Sequence, residues 1–463
     1  MNKRTALLLL GAGFAAGSVA GPGSPALQRG LGALLRWPAA RADTADSTDR
    51  AGLLGLFNGA IDLIRTQYVE PVGETELIGN AINGMLTALD AHSYYLDPKA
   101  FRDLQVQTRG TFGGLGMEVT DDHGRIKVVT PLDDTPAFRA GVKAGDQIVA
   151  IDGQTTQGLT LSEAVEKLRG QPDTTVTISV RREGSDKPLD IRLTREVIHI
   201  QVVRSRLEGD VGYIRLTQFA QETEPKLREA VQKLTEQAGG KLKGFVIDLR
   251  NNPGGLLTQG IATAQALLNG GEVVSDRGRQ ARDNQRWDAK PGGDITNGAP
   301  LVVLINEGTA SAAEILAGAL QDNRRAILLG TLSFGKGSVQ TVFPLPNQGA
   351  VRMTTARYYT PSGRSIQDLG ITPDVEVQEN AGEKPALSPQ READLAHALK
   401  NTGGIGTLTA PPRNDLPAIV KDIPHKPPQN WPTLDLTKPN TDFQLQQAIK
   451  LVDAMPGSAP VAK

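Results

Sequence analysis

The chain of 463 residues contains no cysteine, which removes disulfides, thiolate metal sites and cysteine nucleophiles while leaving the compartment open. Neither charge is in excess: 50 basic residues face 51 acidic ones, so nothing electrostatic points to nucleic acid or an anionic membrane as a partner. Histidine is scarce. His92, His123, His199, His397 and His425 are the only five, and no pair of them has metal-ligating spacing. Long apolar runs are missing too. The apolar stretch in "MNKRTALLLLGAGFAAGSVAG" follows Lys3 and Arg4, and is too short and too rich in small residues for a comfortable membrane span. That layout predicts an export signal, with Ser18-Val19-Ala20 and Ala40-Arg41-Ala42 as cleavage candidates and an uncleaved anchor as the alternative.

What remains is long enough for two or three domains. "LLGLFNGAIDLIRTQYVE" and "ELIGNAINGMLTALD" carry apolar residues at helical spacing and predict two amphipathic helices. From "GTFGGLGMEV" onward, short strands broken by Gly, Asp and Pro surround the helical "TLSEAVEKLRG", a β-rich module of about 90 residues. Strands then alternate with helices from "VGYIRLTQF" to "RAILLG", which predicts a layered α/β domain with a largely parallel core. Beyond about Glu379 the chain is Pro-rich and polar, with a helical "QREADLAHALKN" and a terminal amphipathic "DFQLQQAIKLVDAM". No tandem repeat is found.

The segment "GTLSFGKGSVQ" raises the main functional question. Gly330, Gly335 and Lys336 come within one residue of a phosphate-binding loop. That loop needs Ser or Thr after the lysine and a helix beyond it. Here Gly337 stands after the lysine, and "SVQTVFPLP" is β-branched and ends in prolines, so the phosphate reading is weak. A lysine can instead serve as a general base where burial disfavours its ammonium form. The nucleophile it needs stands upstream in "NEGTASAAEILAGAL", where a strand ends, small residues turn, and Ser311 opens a helix. The N–H of Ala312 would then face a developing oxyanion. Serine also commonly caps helices, so that reading stays open. "FVIDLRNNPGGLL" repeats the strand-turn-helix pattern, and Gly254 and Gly255 can bring N–H donors close to a carbonyl. Asn-Pro-Gly-Gly is also an ordinary turn.

Taken in order, "GTFGGLGMEV", "DLRNNPGG", "GTASAAEI", "FGKGSVQ" and "YYTPSGRSIQDLGITPDVEV" resemble the carboxy-terminal processing, or tail-specific, proteases of serine peptidase family S41, over roughly Leu53 to Val377. The resemblance implies an α/β multidomain fold: a layered α/β protease core with an inserted β-rich PDZ domain and N-terminal helices. The expected division is signal and linker 1–42, helical segment 43–107, PDZ 108–196, Ser/Lys protease core 197–378, and Pro-rich tail with terminal helix 379–463. By resemblance Ser311 is the nucleophile, Lys336 the base, and Gln340 orients the lysine; Ala312 and the Gly254/Gly255 pair donate to the oxyanion. Asp322, in "LQDNRRA", lies where some relatives carry an acidic residue linked to activity, with an exposed helix-end carboxylate as the plain alternative. The "GGLGM" turn, Gly113, Gly114, Leu115, Gly116 and Met117, would offer N–H groups to a peptide's terminal carboxylate while the adjoining strand pairs with the peptide. Arg169, at the end of the PDZ helix, is the expected gating arginine.

The activity so implied is ATP-independent cleavage of proteins captured by their C-termini, in the bacterial periplasm or anchored facing it. No cofactor, metal or nucleic acid is implied. A homodimer is expected from the N-terminal helices and C-terminal segments of relatives, and an envelope adaptor is a further candidate partner. The alternatives are a Ser/His/Asp protease with a PDZ domain, and a catalytically silent PDZ scaffold. No strand-rich double barrel surrounds a histidine, which weighs against the first; intact Ser311, Lys336 and Gln340 weigh against the second.

Overall fold

The computed structural model describes residues 47–122, 124–132, 134–182, 187–199, 201–379, 391–401, 413–432, 434 and 438–456. The expected signal and linker, residues 1–42, and His123 lie outside the described residues. Helices α1 (Ser47–Gln67) and α2 (Glu74–Thr87) form where the apolar period places them. The apolar side of α1 stays exposed, including Leu53, Leu54, Leu56, Phe57, Leu63 and Ile64. A three-residue strand β1 (Tyr94–Leu96) and helix α3 (Pro98–Arg109) come next.

The chain divides into two compact units, one of them Asp103–Val202 with Ala220–Glu222. Its strands β2 (Thr111–Gly114), β3 (Met117–Asp121) and β4 (Ile126–Pro131) precede a single turn, α4 (Pro136–Arg139). Then come β5 (Gln147–Ile151), β6 (Gln154–Thr155), α5 (Leu161–Leu168), β7 (Thr175–Arg181), β8 (Leu189–Thr194) and β9 (Glu196–His199). The sheet runs β3-β4-β5-β7-β8, with β6 on β5, and β2 pairs with β9. Alternate residues such as Val176, Ile178 and Val180 point into one core with Ile126, Val128 and Ile148. Helix α5 starts at a capping box: Glu163 N donates to Thr160 Oγ1 at 3.3 Å, and Thr160 N to Glu163 Oε2 at 2.7 Å. Strand β3 ends the sheet, with β4 as its one neighbour among the described strands.

The other unit holds the alternating α/β region, in order β10 (Val203–Glu208), β11 (Val211–Leu216), α6 (Thr223–Gln237), β12 (Gly244–Asp248) and α7 (Leu257–Leu267). It continues through β13 (Gly271–Gly278), β14 (Gln285–Ala289), β15 (Leu301–Ile305), α8 (Ala312–Asp322), β16 (Ile327–Gly330), β17 (Ser338–Leu345), β18 (Gly349–Tyr359), β19 (Val375–Glu376) and α9 (Phe443–Ala454). The main sheet runs β10-β11-β12-β15-β16-β19 and is parallel except for β10. Both β12 and β15 are buried at every residue, as strands covered on both faces must be. One face packs on α6, α7 and α8, through Leu227, Ile261 and Leu316 among others. On the other face lies α9, whose Leu445, Ala448, Leu451 and Val452 join Val246, Val302 and Leu304. The terminal amphipathic segment is thus a layer of the α/β core. Its start is fixed by Arg250, buried at the end of β12, which pairs with Asp442 at 2.6 Å and Asp248 at 2.7 Å.

A second, antiparallel sheet is centred on β18, which pairs with β1, β13 and β17. The helix predicted over "QREADLAHALKN" is absent in its described part: only Glu392–Asp394 forms a single 3-10 turn, and His397 takes a positive φ of 60°. Tertiary bonds decide the conformation there. The Glu392 carboxylate is buried on His92 and Gln367.

Candidate active site

Two strand-turn-helix junctions stand side by side at the carboxyl ends of parallel strands β12 and β15. They are laced together: Asn251 N donates to Asn306 Oδ1 at 2.8 Å, Asn306 Nδ2 to Asn251 Oδ1 at 3.0 Å, and Ala310 N to Asn252 O at 2.9 Å. Ser311 sits in the second junction with φ 57° and ψ −117°, in the left-handed half of the map where a side chain is strained. Such strain is the mark of a sharp turn that projects a serine from a helix start. Gly254, φ 95°, passes so close that a Cβ there would stand 2.8 Å from Ser311 Cβ and 3.0 Å from Ala312 N. Its own N–H is taken by Asn252 Oδ1 at 2.9 Å. Of the three predicted oxyanion donors, Gly254 is therefore already engaged, which leaves the amides of Ala312 and Gly255 as the candidates.

Lys336 is 1 % exposed, and its Nζ makes no hydrogen bond, either to Ser311 or to Gln340. Burial drives its pKa well below the ordinary lysine value and Arg352 adds to the effect, while Glu392, Asp90 and Glu314 pull the other way. The chain runs on from this loop into strand β17, so no helix start faces an anion and the phosphate-loop reading fails. Gln340, fully buried on β17, gives its Nε2 to Ser338 Oγ at 2.9 Å and Thr354 Oγ1 at 3.1 Å, and receives Arg352 at 3.5 Å. In this arrangement it bonds to its neighbours in the sheet and not to the lysine.

Glu314 joins the two predicted catalytic segments. Its Oε2 accepts from Ser311 N at 2.8 Å and Lys336 N at 2.9 Å; its Oε1 accepts from Gly335 N at 2.8 Å and Ser333 Oγ at 2.5 Å. Burial pushes its pKa up to about 7 against these donors, which favour the carboxylate. The sequence motifs assign Glu314 no role, although Ser311 and Glu314 form a capping-box spacing that signals this backward bond. Tyr358 was missed as well. Its phenol donates to Lys336 O and faces Ser311, and its ring lines an apolar notch beside the serine with Leu257, Ala312, Ile315 and Val339.

Asp322 stands at the far end of α8, about 16 Å along the helix from Ser311. It is neither an exposed carboxylate nor part of the site: its carboxylate is buried, pairs with Arg364 at 2.6 Å and accepts from Ser362 N at 3.0 Å.

In the β-rich unit the five predicted peptide-binding residues are consecutive but not one turn. Gly113 and Gly114 belong to β2 and pair with Val197 and Glu196. Gly113 is glycine because Gly170 O passes where a Cβ would stand, 2.0 Å away. The turn is confined to Leu115 and Gly116, the latter at φ 73°, and Met117 opens edge strand β3. Helix α5 packs beside β3, with Met117, Val119 and Leu161 half-buried against the core. Arg169 ends α5, lies 4.8 Å over the Phe112 ring and reaches Asp103 at 3.8 Å.

A strained serine over paired junctions, a buried lysine and an edge-strand groove define a serine-type peptidase with a PDZ domain, and the comparisons agree. Residues 210–377 match the model of peptidase family S41, residues 113–193 that of the PDZ domain, and residues 38–100 that of the activating protease CtpB N-terminal domain. The carboxy-terminal-processing protease of Bartonella bacilliformis is 53% identical over 332 residues, 72% of this chain and 76% of that protein. That of Synechocystis is 37% identical over 374 residues, 79% of this chain and 86% of the relative. A solved photosystem II D1 C-terminal processing protease is 34% identical, with coverage of 67% and 84% and a TM-score of 0.41. The chain belongs to serine peptidase family S41, among the carboxy-terminal processing proteases.

Proposed function

We propose that this peptidase cleaves proteins of the cell envelope without ATP, using Ser311 as nucleophile and Lys336 as general base, on substrates whose C-termini the PDZ domain captures. The observation that carries the reading is the Lys336 amine, buried and without a hydrogen-bond partner, on a loop that shares the Glu314 carboxylate with Ser311. A buried amine kept neutral can accept a proton near neutral pH. Nζ makes no bond to Ser311 in this arrangement, so the amine and the hydroxyl must come within hydrogen-bond reach before attack. Ser311 Oγ then adds to the scissile carbonyl as its proton passes to Lys336 Nζ, and the oxyanion is met by the amides of Ala312 and Gly255. Collapse breaks the C–N bond, and Lys336 returns the proton to the departing amine. Water, deprotonated by the same lysine, releases the acyl group from Ser311. Arg169, bridging Phe112 and Asp103, fits a gating role in which peptide in the PDZ groove alters this contact.

The test is substitution. Ser311→Ala and Lys336→Arg should both fold and lose peptidase activity on casein by at least about a hundredfold. Arginine keeps the charge but cannot shed a proton. Wild-type kcat/KM should rise with pH through the lowered lysine pKa, since the neutral form is the active one. Substantial activity in Lys336→Arg, or a requirement for ATP and Mg²⁺, would sink the assignment.

A further inference from the structure

We propose that His92, Glu392 and Arg352 are positioning residues of the hydrolytic centre, closing a buried ring of hydrogen bonds that holds both Lys336 and Gln340. The inference rests on the reading of Lys336 as the base. The ring begins one residue past the lysine, where Gly337 N donates to Gln367 Oε1 at 2.9 Å and Gln367 Nε2 donates to Glu392 Oε1 at 2.8 Å. Glu392 Oε2 meets His92 Nε2 at 2.7 Å, and His92 N donates to Asp90 Oδ1 at 2.8 Å. Thr354 Oγ1 donates to the same oxygen at 3.0 Å and accepts from Gln340 Nε2 at 3.1 Å. Arg352 braces the other side of Gln340, with its second nitrogen on Tyr94 Oη at 2.6 Å. All of these groups except Tyr94 and Thr354 are buried.

The ring gathers distant parts of the chain. Asp90, His92 and Tyr94 come from the segment after α2, Arg352 and Thr354 from β18, and Glu392 from the tail. The strand pairing that sets Tyr94 opposite Arg352 fixes one corner. Removing any member leaves a buried donor or acceptor unpaired, so the ring is expected to act as a unit.

It also brings charge to the base. The ionisable groups bearing on Lys336 are Arg352, Glu392, Asp90 and Glu314, with His92 and the Tyr358 phenol beside them. Burial keeps His92 below its usual pKa and therefore neutral near pH 7, so the ring members that bear on the lysine by charge are Arg352 on one side and Glu392 and Asp90 on the other. Arg352 favours the neutral amine and Glu392 the ammonium. Packing residues alone would change activity without moving the titration of the lysine.

The experiment tracks the ¹³Cε signal of Lys336 against pH in the full-length Ser311→Ala protein, assigned by its disappearance in Lys336→Arg, and in parallel the pH profile of kcat/KM with Ser311 intact. Glu392→Gln, nearly isosteric, should move both midpoints to lower pH, so that one pH unit below the wild-type midpoint its activity relative to plateau is roughly threefold or more above wild type. Arg352→Gln should move them up. His92→Gln should leave the midpoint in place while lowering kcat more than it raises KM. If Arg352→Gln fails to fold, Glu392→Gln decides alone. Opposite NMR shifts with an unmoved activity limb would uphold the ring while showing that Lys336 is not the base. A folded Glu392→Gln whose lysine titrates as in wild type would overturn the ring.

Discussion

Glu314 ties the segments of the proposed nucleophile and base together, with one oxygen accepting from both Ser311 N and Lys336 N. An amide in its place would set an NH₂ group against two donors on one side or the other. Hydrogen bonds to a charged group are worth about 1.5 to 3 kcal/mol, so Glu314→Gln should lower kcat/KM by roughly tenfold to a hundredfold with the fold retained. The pH effect has a definite sign. A carboxyl whose folded pKa, about 7, exceeds the ordinary value holds more protons folded than unfolded across that window. Its contribution to stability therefore falls as pH rises toward 7. Denaturant midpoints of Glu314→Gln should vary less with pH there, and wild-type activity in the variant would refute the bracing role. The junction that holds Ser311 and the loop that holds Lys336 were legible in the sequence because local spacing carries them: a serine after a buried strand, a lysine among glycines. His92 and Glu392 were not, because they meet across 300 positions.

Among the elements, regular patterns were read well and tertiary overrides were not. The parallel strands announced themselves as continuous apolar runs, and α5 as the helical stretch "TLSEAVEKLRG". "QREADLAHALKN" has helical composition, but burial of Glu392 on His92 and Gln367 holds the described part in another form. That β3 ends its sheet could not be seen from alternation, which is the same for an inner and an edge strand. The edge carries a prediction. A peptide laid along β3 would bring its terminal carboxylate to the Leu115–Gly116 turn, a charge-assisted contact worth about 1.5 to 3 kcal/mol. Amidating a good substrate's C-terminus should slow its cleavage by roughly tenfold or more. Equal rates for the acid and the amide would show that the groove does not select free tails.

On the scale of the molecule, the apolar residues of α9 are buried inside the chain, whereas those of α1 are covered by none of the described residues. Leu56 is 71% exposed and Leu63 62%, on a helix whose neighbours Leu53, Leu54 and Phe57 are also exposed. A soluble monomer seldom leaves a run of this kind open, and a net charge of −1 gives little repulsion between copies. The N-terminal helices are therefore the expected seam of a homodimer, and the purified protein should run at twice the mass of its chain by light scattering. Sequencing that chain should find it starting after Ala20 or Ala42, whereas a start at Met1 would favour an anchor. Leu56→Glu with Leu63→Glu should give a folded monomer with an unchanged circular dichroism spectrum, because both positions are solvent-facing within one chain. A wild-type protein that is monomeric at tens of micromolar, or a charged variant that still dimerises, would rule the α1 seam out.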